Sequence, residues 1–318
     1  MQTIQSKIPE IGTSIFAVMS KLANECGALN LSQGFPDWQC DDHLIELVHR
    51  FMLDGHNQYA PMPGVPVLRE KLADKINRLY DSNIHMDEIT VTAGATQALH
   101  TVISTIVHEG DEVIIFEPAY DSYVPPVKMN GGIPLFIQMK QPDFKIDWDE
   151  VKTVISAKTK LIIINSPHNP TGAVLSETDM TRLSEITRGH DIFILSDEVY
   201  EHIVLDGKAH QSILKYPELA AKSFAVFSFG KVFHATGWKL GYCVAPKPLT
   251  TAFQQLHQFV VYACNTPIQY AIATYLDDTR TYLELPGLFQ QKRDFFIDKL
   301  AYGPFKIKPA AGTYFQLL

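Results

Sequence analysis

From Asp87 to Ala245, short apolar runs alternate with amphipathic segments, and few folds accept that pattern. The runs are Ile89–Thr92, Glu112–Phe116, Pro134–Met139, Lys160–Asn165, Ile192–Ser196, Phe224–Ser228 and Leu240–Ala245. Between them, near Ala95–His108, Tyr120–Met129, Trp148–Ile155 and Glu177–Arg188, apolar residues recur at helical spacing. Runs of Ile, Val, Phe and Leu without alternation are covered on both faces, as in a largely parallel sheet. Repeated strand–helix units of this length predict a doubly wound α/β domain with helices on both faces of the sheet. Such sheets bind ligands beyond the carboxyl ends of their strands, so the polar residues just past each run are the ones to collect.

The flanks read as helical. Thr13 to Leu29 carries Ile15, Val18, Met19 and Leu22 at helical spacing, and further helices are expected near His43–Leu53 and Val65–Tyr80. Beyond Pro248 a long helical segment to about Tyr275 precedes another at Gly287–Ala301; Phe305–Lys308 and PAAGTYFQLL read as strand, turn, strand. A chain of 318 residues suffices for one large domain and a smaller one. Its net charge of -8 argues against nucleic acid or an anionic membrane as partner. No apolar run approaches the roughly 20 residues that span a bilayer, and MQTIQSKIPEIG has no hydrophobic signal region, so a cytoplasmic protein is expected. The four cysteines show no C-x-x-C spacing and the 12 histidines no H-E-x-x-H, so no metal site is expected.

At the strand ends, AGATQAL follows Ile89–Thr92 and opens a helix. Ala93, Gly94 and Ala95 let backbone N–H groups approach an anion and Thr96 adds a hydroxyl, although small residues at a helix start also serve packing alone. Tyr120 in EPAYDSY is placed to cover a flat ligand, or is a plain core aromatic. Asn169 in SPHNPTG sits in a proline turn that could hold a cis bond, where an amide often serves only the backbone. Asp197 ends its strand and Tyr200 follows three residues later; an Asp there is often a helix cap. Ser228 and Lys231 close a buried strand, and a second cation, Lys239, comes eight residues on. A lysine so placed either snorkels or has lost enough solvent to act as a nucleophilic amine. Together these make an unusual inventory: an anion cradle, a flat ring, an acid, a phenol, an amide and two cations. Pyridoxal 5′-phosphate needs all of them.

The motifs NQYAPMPG-x3-LRE, TAGATQAL, PHNPTG, SDEVYEH and SFGKVFHATGWKLGY resemble, in order and across nearly the whole chain, the class I/II pyridoxal-phosphate aminotransferases of fold type I. SKIPEIGTSIF, LSQGFPDW, ITVTAGAT and GWKLGYCVAP are most similar to the bacterial methionine aminotransferases, themselves similar to kynurenine/glutamine aminotransferases. The resemblance implies that Lys231 forms the internal aldimine and shuttles the proton, that Asp197 holds the pyridinium nitrogen, and that Tyr200 donates to the cofactor O3′. It implies stacking by Tyr120 and phosphate binding by Ala95, Thr96, Ser228 and Lys239, with Tyr59 reaching the phosphate from the other subunit of a homodimer. Asn169 and Gly34 fall in the substrate-carboxylate and O3′ surroundings, and Ile15 and Phe16 suit a pocket for an uncharged side chain or plain core.

The expected activity is ping-pong transamination of methionine and related large neutral or aromatic amino acids with a 2-oxo acid acceptor. The expected domains are an N-terminal arm (1–40), a large cofactor-binding domain (41–285) and the start of a small α/β domain (286–318), incomplete at its C-terminus. No residue matches the family's carboxylate-gripping arginine, and Arg280 and Arg293 do not correspond to it. A C–S β-lyase and a cofactor-binding but inactive fragment are the alternative readings.

Overall fold

The computed structural model describes residues 4–32, 34 and 36–318; Gln33 and Phe35 of LSQGFPDW lie outside the described residues. All the apolar runs form strands: β1 Ile89–Thr92, β2 Glu112–Glu117, β3 Ile133–Gln138, β4 Thr159–Asn165, β5 Phe193–Asp197, β6 Ser223–Ser228 and β7 Gly241–Val244. They make one seven-stranded sheet in the order β1-β7-β6-β5-β4-β2-β3. β3, β2, β4, β5 and β6 run parallel, and β7 is antiparallel to both β6 and β1.

The helices are α1 Ile15–Glu25, α2 Asp42–Leu53, α3 Pro66–Tyr80, α4 Gly94–Ile106, α5 Val124–Met129, α6 Trp148–Val154 and α7 Glu177–Thr187. Short α8 Pro217–Ala220 and α9 Phe229–Val232 bracket β6, and α10 Lys247–Val260, α11 Thr266–Tyr275, α12 Arg280–Leu283 and α13 Leu285–Leu300 follow β7. Alternate residues of each central strand enter two cores. Ile114, Ile162, Ile194 and Phe227 pack on one face with residues of α2, α3, α7 and α11; Val113, Leu161, Leu195 and Val226 pack on the other with residues of α4 and α10. Both faces being covered is why these strands lack a polar alternation.

Several expectations need correction. β3 is an edge strand with Ile133 46% and Phe136 47% exposed, so it is not covered on both faces. The helix expected from Tyr120 begins only at Val124, because the chain turns through Tyr120–Tyr123 first. The segment after Pro248 is two helices; Asn265 breaks it by accepting from Ile268 N with its side chain, with Pro267 in the first turn of α11. Residues 305–318 form no strand: an isolated bridge, Val204 to Gly312, and bonds from Leu205 N to Ala311 O (2.8 Å) and Thr313 N to Ile203 O (2.9 Å) tie them to the chain after β5. Among the described residues no core covers the apolar stripe of α1, with Ile15 61%, Val18 47% and Leu22 48% exposed.

Candidate active site

Parallel pairing aligns the strand ends that carry the chemistry. Asn165 and Asp197 are partners across β4 and β5, and Ser228 at the end of β6 pairs with Gly241. These ends, the start of α4 and the first turn after β6 enclose a cavity of about 150 Å³. Ala95, Thr96, Tyr120, Asn169, Asp197, Tyr200, Ser228, Lys231 and Lys239 all line it. The fold thus brings together every residue predicted for the cofactor within one chain.

Asp197 is 2% exposed and Tyr200 1%. The Asp197 carboxylate accepts from the Tyr123 hydroxyl (2.8 Å) and from Val199 N (3.2 Å). Burial pushes its pKa up from 3.8 to about 6, against the pull of the Tyr123 bond, the Val199 N–H and the charge of Lys231. Asn165 fastens this corner: its Nδ2 donates to Asp197 O (2.8 Å), and its Oδ1 accepts from Asn169 N (2.7 Å). The Ser166–Pro167 and Asn169–Pro170 peptides are both cis. Lys231, on α9, directs its Nζ to the hydroxyl of Tyr314 (3.1 Å) and lies over the rings of Tyr200 (5.6 Å) and Tyr314 (5.7 Å).

At the opposite end the cavity is built for an anion. Gly94 has φ +77, and a Cβ there would lie 3.4 Å from Lys239 Nζ. A Cβ on Gly241 would sit 2.5 Å from Phe227 O and 3.1 Å from Ala95 N, so only glycine lets β7 pass this close to the start of α4. Lys239 itself holds a left-handed backbone, φ 53, and no carboxylate pairs with it among the described residues. Helix N–H groups, a hydroxyl and an unpaired ammonium together suit a phosphate. The buried acid, short of a cation at its far end, suits a protonated ring nitrogen. Both ends therefore fit pyridoxal phosphate.

A second, apolar hollow of about 560 Å³ adjoins the first, with Asn169 lining both. Phe16, Gly34, Trp38, Phe289, Tyr314 and Phe315 form much of its wall. Ile15 lines neither hollow and is solvent-exposed, so only Phe16 of the predicted pair stands where a side-chain pocket would be. Tyr59 also stays outside, 82% exposed and edge-on to Tyr262 at 5.3 Å. Arg280 pairs with Asp278, and Arg293 with Asp206 and Asp294. A larger open hollow of about 970 Å³ near Asp143 and Leu318 holds none of the predicted residues.

Three residues at the site escaped the sequence reading. Tyr123 stands three positions after Tyr120, in a stretch whose pattern predicts helix. Asn165 is the last residue of an apolar run and reads from sequence only as strand. Tyr314 falls in the segment read as terminal strand. Asn165 had a usable signal, since it ends its run as Asp197 ends the next.

A lysine amine, a buried acid, a buried phenol and an anion cradle beyond the carboxyl ends of a mostly parallel sheet define a pyridoxal-phosphate enzyme of the transaminase type. The comparisons agree. The family described as aminotransferase class I and II matches residues 27–318, and the chain belongs to it. The chain is 46% identical to methionine aminotransferase of Escherichia coli over 316 residues, 99% of this chain and 82% of that one. It is 33% identical to human kynurenine–oxoglutarate transaminase 3, over 98% of this chain and 73% of that protein. Among solved structures, Escherichia coli YbdL, identified as having a methionine aminotransferase function, superposes with a TM-score of 0.95 at 44% identity, covering 99% and 83% of the two chains. A double mutant of Thermus thermophilus aspartate aminotransferase superposes at 0.90 with 28% identity, covering 98% and 84% of the two chains. The chain is a pyridoxal-phosphate-dependent aminotransferase of fold type I, acting on amino acids and 2-oxo acids.

Proposed function

We propose that the amino donor is methionine, along with other large neutral or aromatic amino acids, and that Lys231 is the amine at which the chemistry turns. The observation that carries the donor class is the apolar hollow beside the lysine, walled by Phe16, Trp38, Phe289 and Phe315. Such a wall rewards an uncharged side chain; Asp37, Lys292 and Arg293 also line the hollow, with Lys292 over the Trp38 ring at 4.5 Å and Arg293 paired with Asp206 and Asp294. The relationship to Escherichia coli methionine aminotransferase points the same way.

Bound pyridoxal phosphate supplies a carbonyl for amines and a cationic ring that takes up electrons from the substrate Cα. Ala95 and Thr96, at the N-terminus of α4, with Ser228 and Lys239, would hold its phosphate; Tyr120 would cover the ring face. Asp197, as a carboxylate, would keep the proton on the ring nitrogen, and the phenol of Tyr200 and the amide of Asn169 would hold the ring oxygen. Lys231 Nζ, once free, takes the proton that leaves the substrate Cα. Tyr59, exposed and edge-on to Tyr262, is the residue we assign to the partner's phosphate site in a homodimer. Among the described residues no helix is long and apolar enough to cross a membrane; we place the enzyme in the cytoplasm.

Cofactor-loaded protein mixed with methionine tests this reading, with sedimentation run in the same buffer. The expected result is loss of the lysine-linked cofactor absorbance, one 2-oxo acid per site, recovery on adding an acceptor 2-oxo acid, and a dimer. Pyruvate and ammonia formed without an acceptor would instead mean a lyase. A spectral change without product would mean an inert binder, and a fully active monomer would remove Tyr59 from the site.

A further inference from the structure

Tyr314 stands in the wall between the two hollows. Its ring lines the apolar one, while its hydroxyl accepts from Lys231 Nζ at 3.1 Å, at the edge of the cofactor cavity. It also meets the phenol of Tyr200, which is held well above its ordinary range by burial first, then by the charge of and hydrogen bond with Tyr314.

The position is rigid. The Tyr314 ring packs edge-on to Tyr200 (5.4 Å) and against Phe315 (5.0 Å) and Phe289 (5.6 Å). Immediately before it, Thr313 N donates to Ile203 O at 2.9 Å, which ties this segment to the turn carrying Tyr200. A half-buried tyrosine packed on three aromatic rings needs no hydroxyl for its packing; phenylalanine would fill the same space. The hydroxyl is therefore placed for the amine.

We propose that the Tyr314 oxygen docks the Lys231 amine whenever that amine is free, which makes Tyr314 a positioning residue for the reaction. This rests on the assignment of Lys231 above. By accepting from the amine at the boundary of the apolar hollow, Tyr314 holds it on the side from which a substrate side chain enters. A loose lysine spends most of its time in unproductive rotamers, so docking raises the fraction poised for proton transfer. Substrate binding, set by the hollow itself, is left unchanged.

The test uses Tyr314→Phe, with Tyr314→Leu as the packing control. In cofactor-free protein, labelling of Lys231 by trinitrobenzenesulfonate, read by peptide mass spectrometry, should be about five-fold faster in Tyr314→Phe, as expected for loss of one ordinary hydrogen bond. In the loaded enzyme kcat should fall at least about tenfold with KM for the amino acid within about two-fold, and the isotope effect from Cα deuteration should rise. Wild-type labelling and an unchanged isotope effect in Tyr314→Phe would overturn the proposal. So would losses confined to Tyr314→Leu, which would make the residue packing alone. Failure of the wild-type protein to form a 2-oxo acid would instead strike the functional reading, and the labelling comparison would still decide the dock.

Discussion

At Asp197 the fold takes a carboxyl group out of water and gives its oxygens a phenol and one backbone N–H. Its pKa stands at about 6 in place of 3.8, so the folded chain holds this proton more tightly than the unfolded chain does. The stability that follows is fully present below about pH 4 and is lost as the pH rises through about 6. At neutral pH the charged form then costs the cofactor-free fold about 3 kcal/mol. Asp197→Asn should flatten the pH dependence by that amount between pH 4 and 7 in urea unfolding of the cofactor-free protein, and parallel curves for the two proteins would contradict the account. The residues legible in the sequence were those with a motif around them, Lys231 and Asp197 above all. Tyr123 and Tyr314 were not, because each reaches the site by a contact 74 and 83 positions away. No local pattern encodes such a pairing.

At the scale of elements, the apolar runs marked every strand of the sheet: the inner strands because burial on two faces leaves them no polar alternation, and the half-exposed edge strand β3 because its run is apolar all the same. It failed where burial failed: the stripe of α1 is as apolar as that of α2, yet nothing covers it among the described residues. Periodicity also hides the charge inside α3. Lys75, 5% exposed, reaches Glu201 Oε1 at 2.5 Å, and Tyr80 and Tyr242 donate to the same carboxylate. Burial alone would push Glu201 up; the charges and hydrogen bonds of His202 and Lys75 hold it well below the usual carboxylate range. This buried pair clips α3 to the turn that carries Tyr200. Lys75→Met, which leaves the carboxylate buried without its ammonium, should cost about 3–5 kcal/mol. Adding Glu201→Gln should recover most of that. Equal urea midpoints for the single and double variants would show that the clip carries no such charge coupling.

On the scale of the whole molecule, the sheet order explains why one small cavity gathers residues from so many segments. β4, β5 and β6 run parallel side by side, so Asn165, Asp197 and Ser228 emerge at one edge, and β7 returns antiparallel to bring Gly241 against the start of α4. The sheet supplies the cofactor end. The apolar hollow is drawn from chain far outside it, from Phe16 and Trp38 to Phe289 and Phe315, which is why side-chain specificity was the least legible property in the sequence. We propose that the amine of Lys231 is what joins these two halves into a transaminase. Cofactor titration followed by turnover with methionine, in Lys231→Ala beside the wild type, tests it most directly. The variant should still bind pyridoxal phosphate through the anion cradle, lack the lysine-linked absorbance, and turn over at least about 10³-fold more slowly. Turnover within tenfold of the wild type would contradict it.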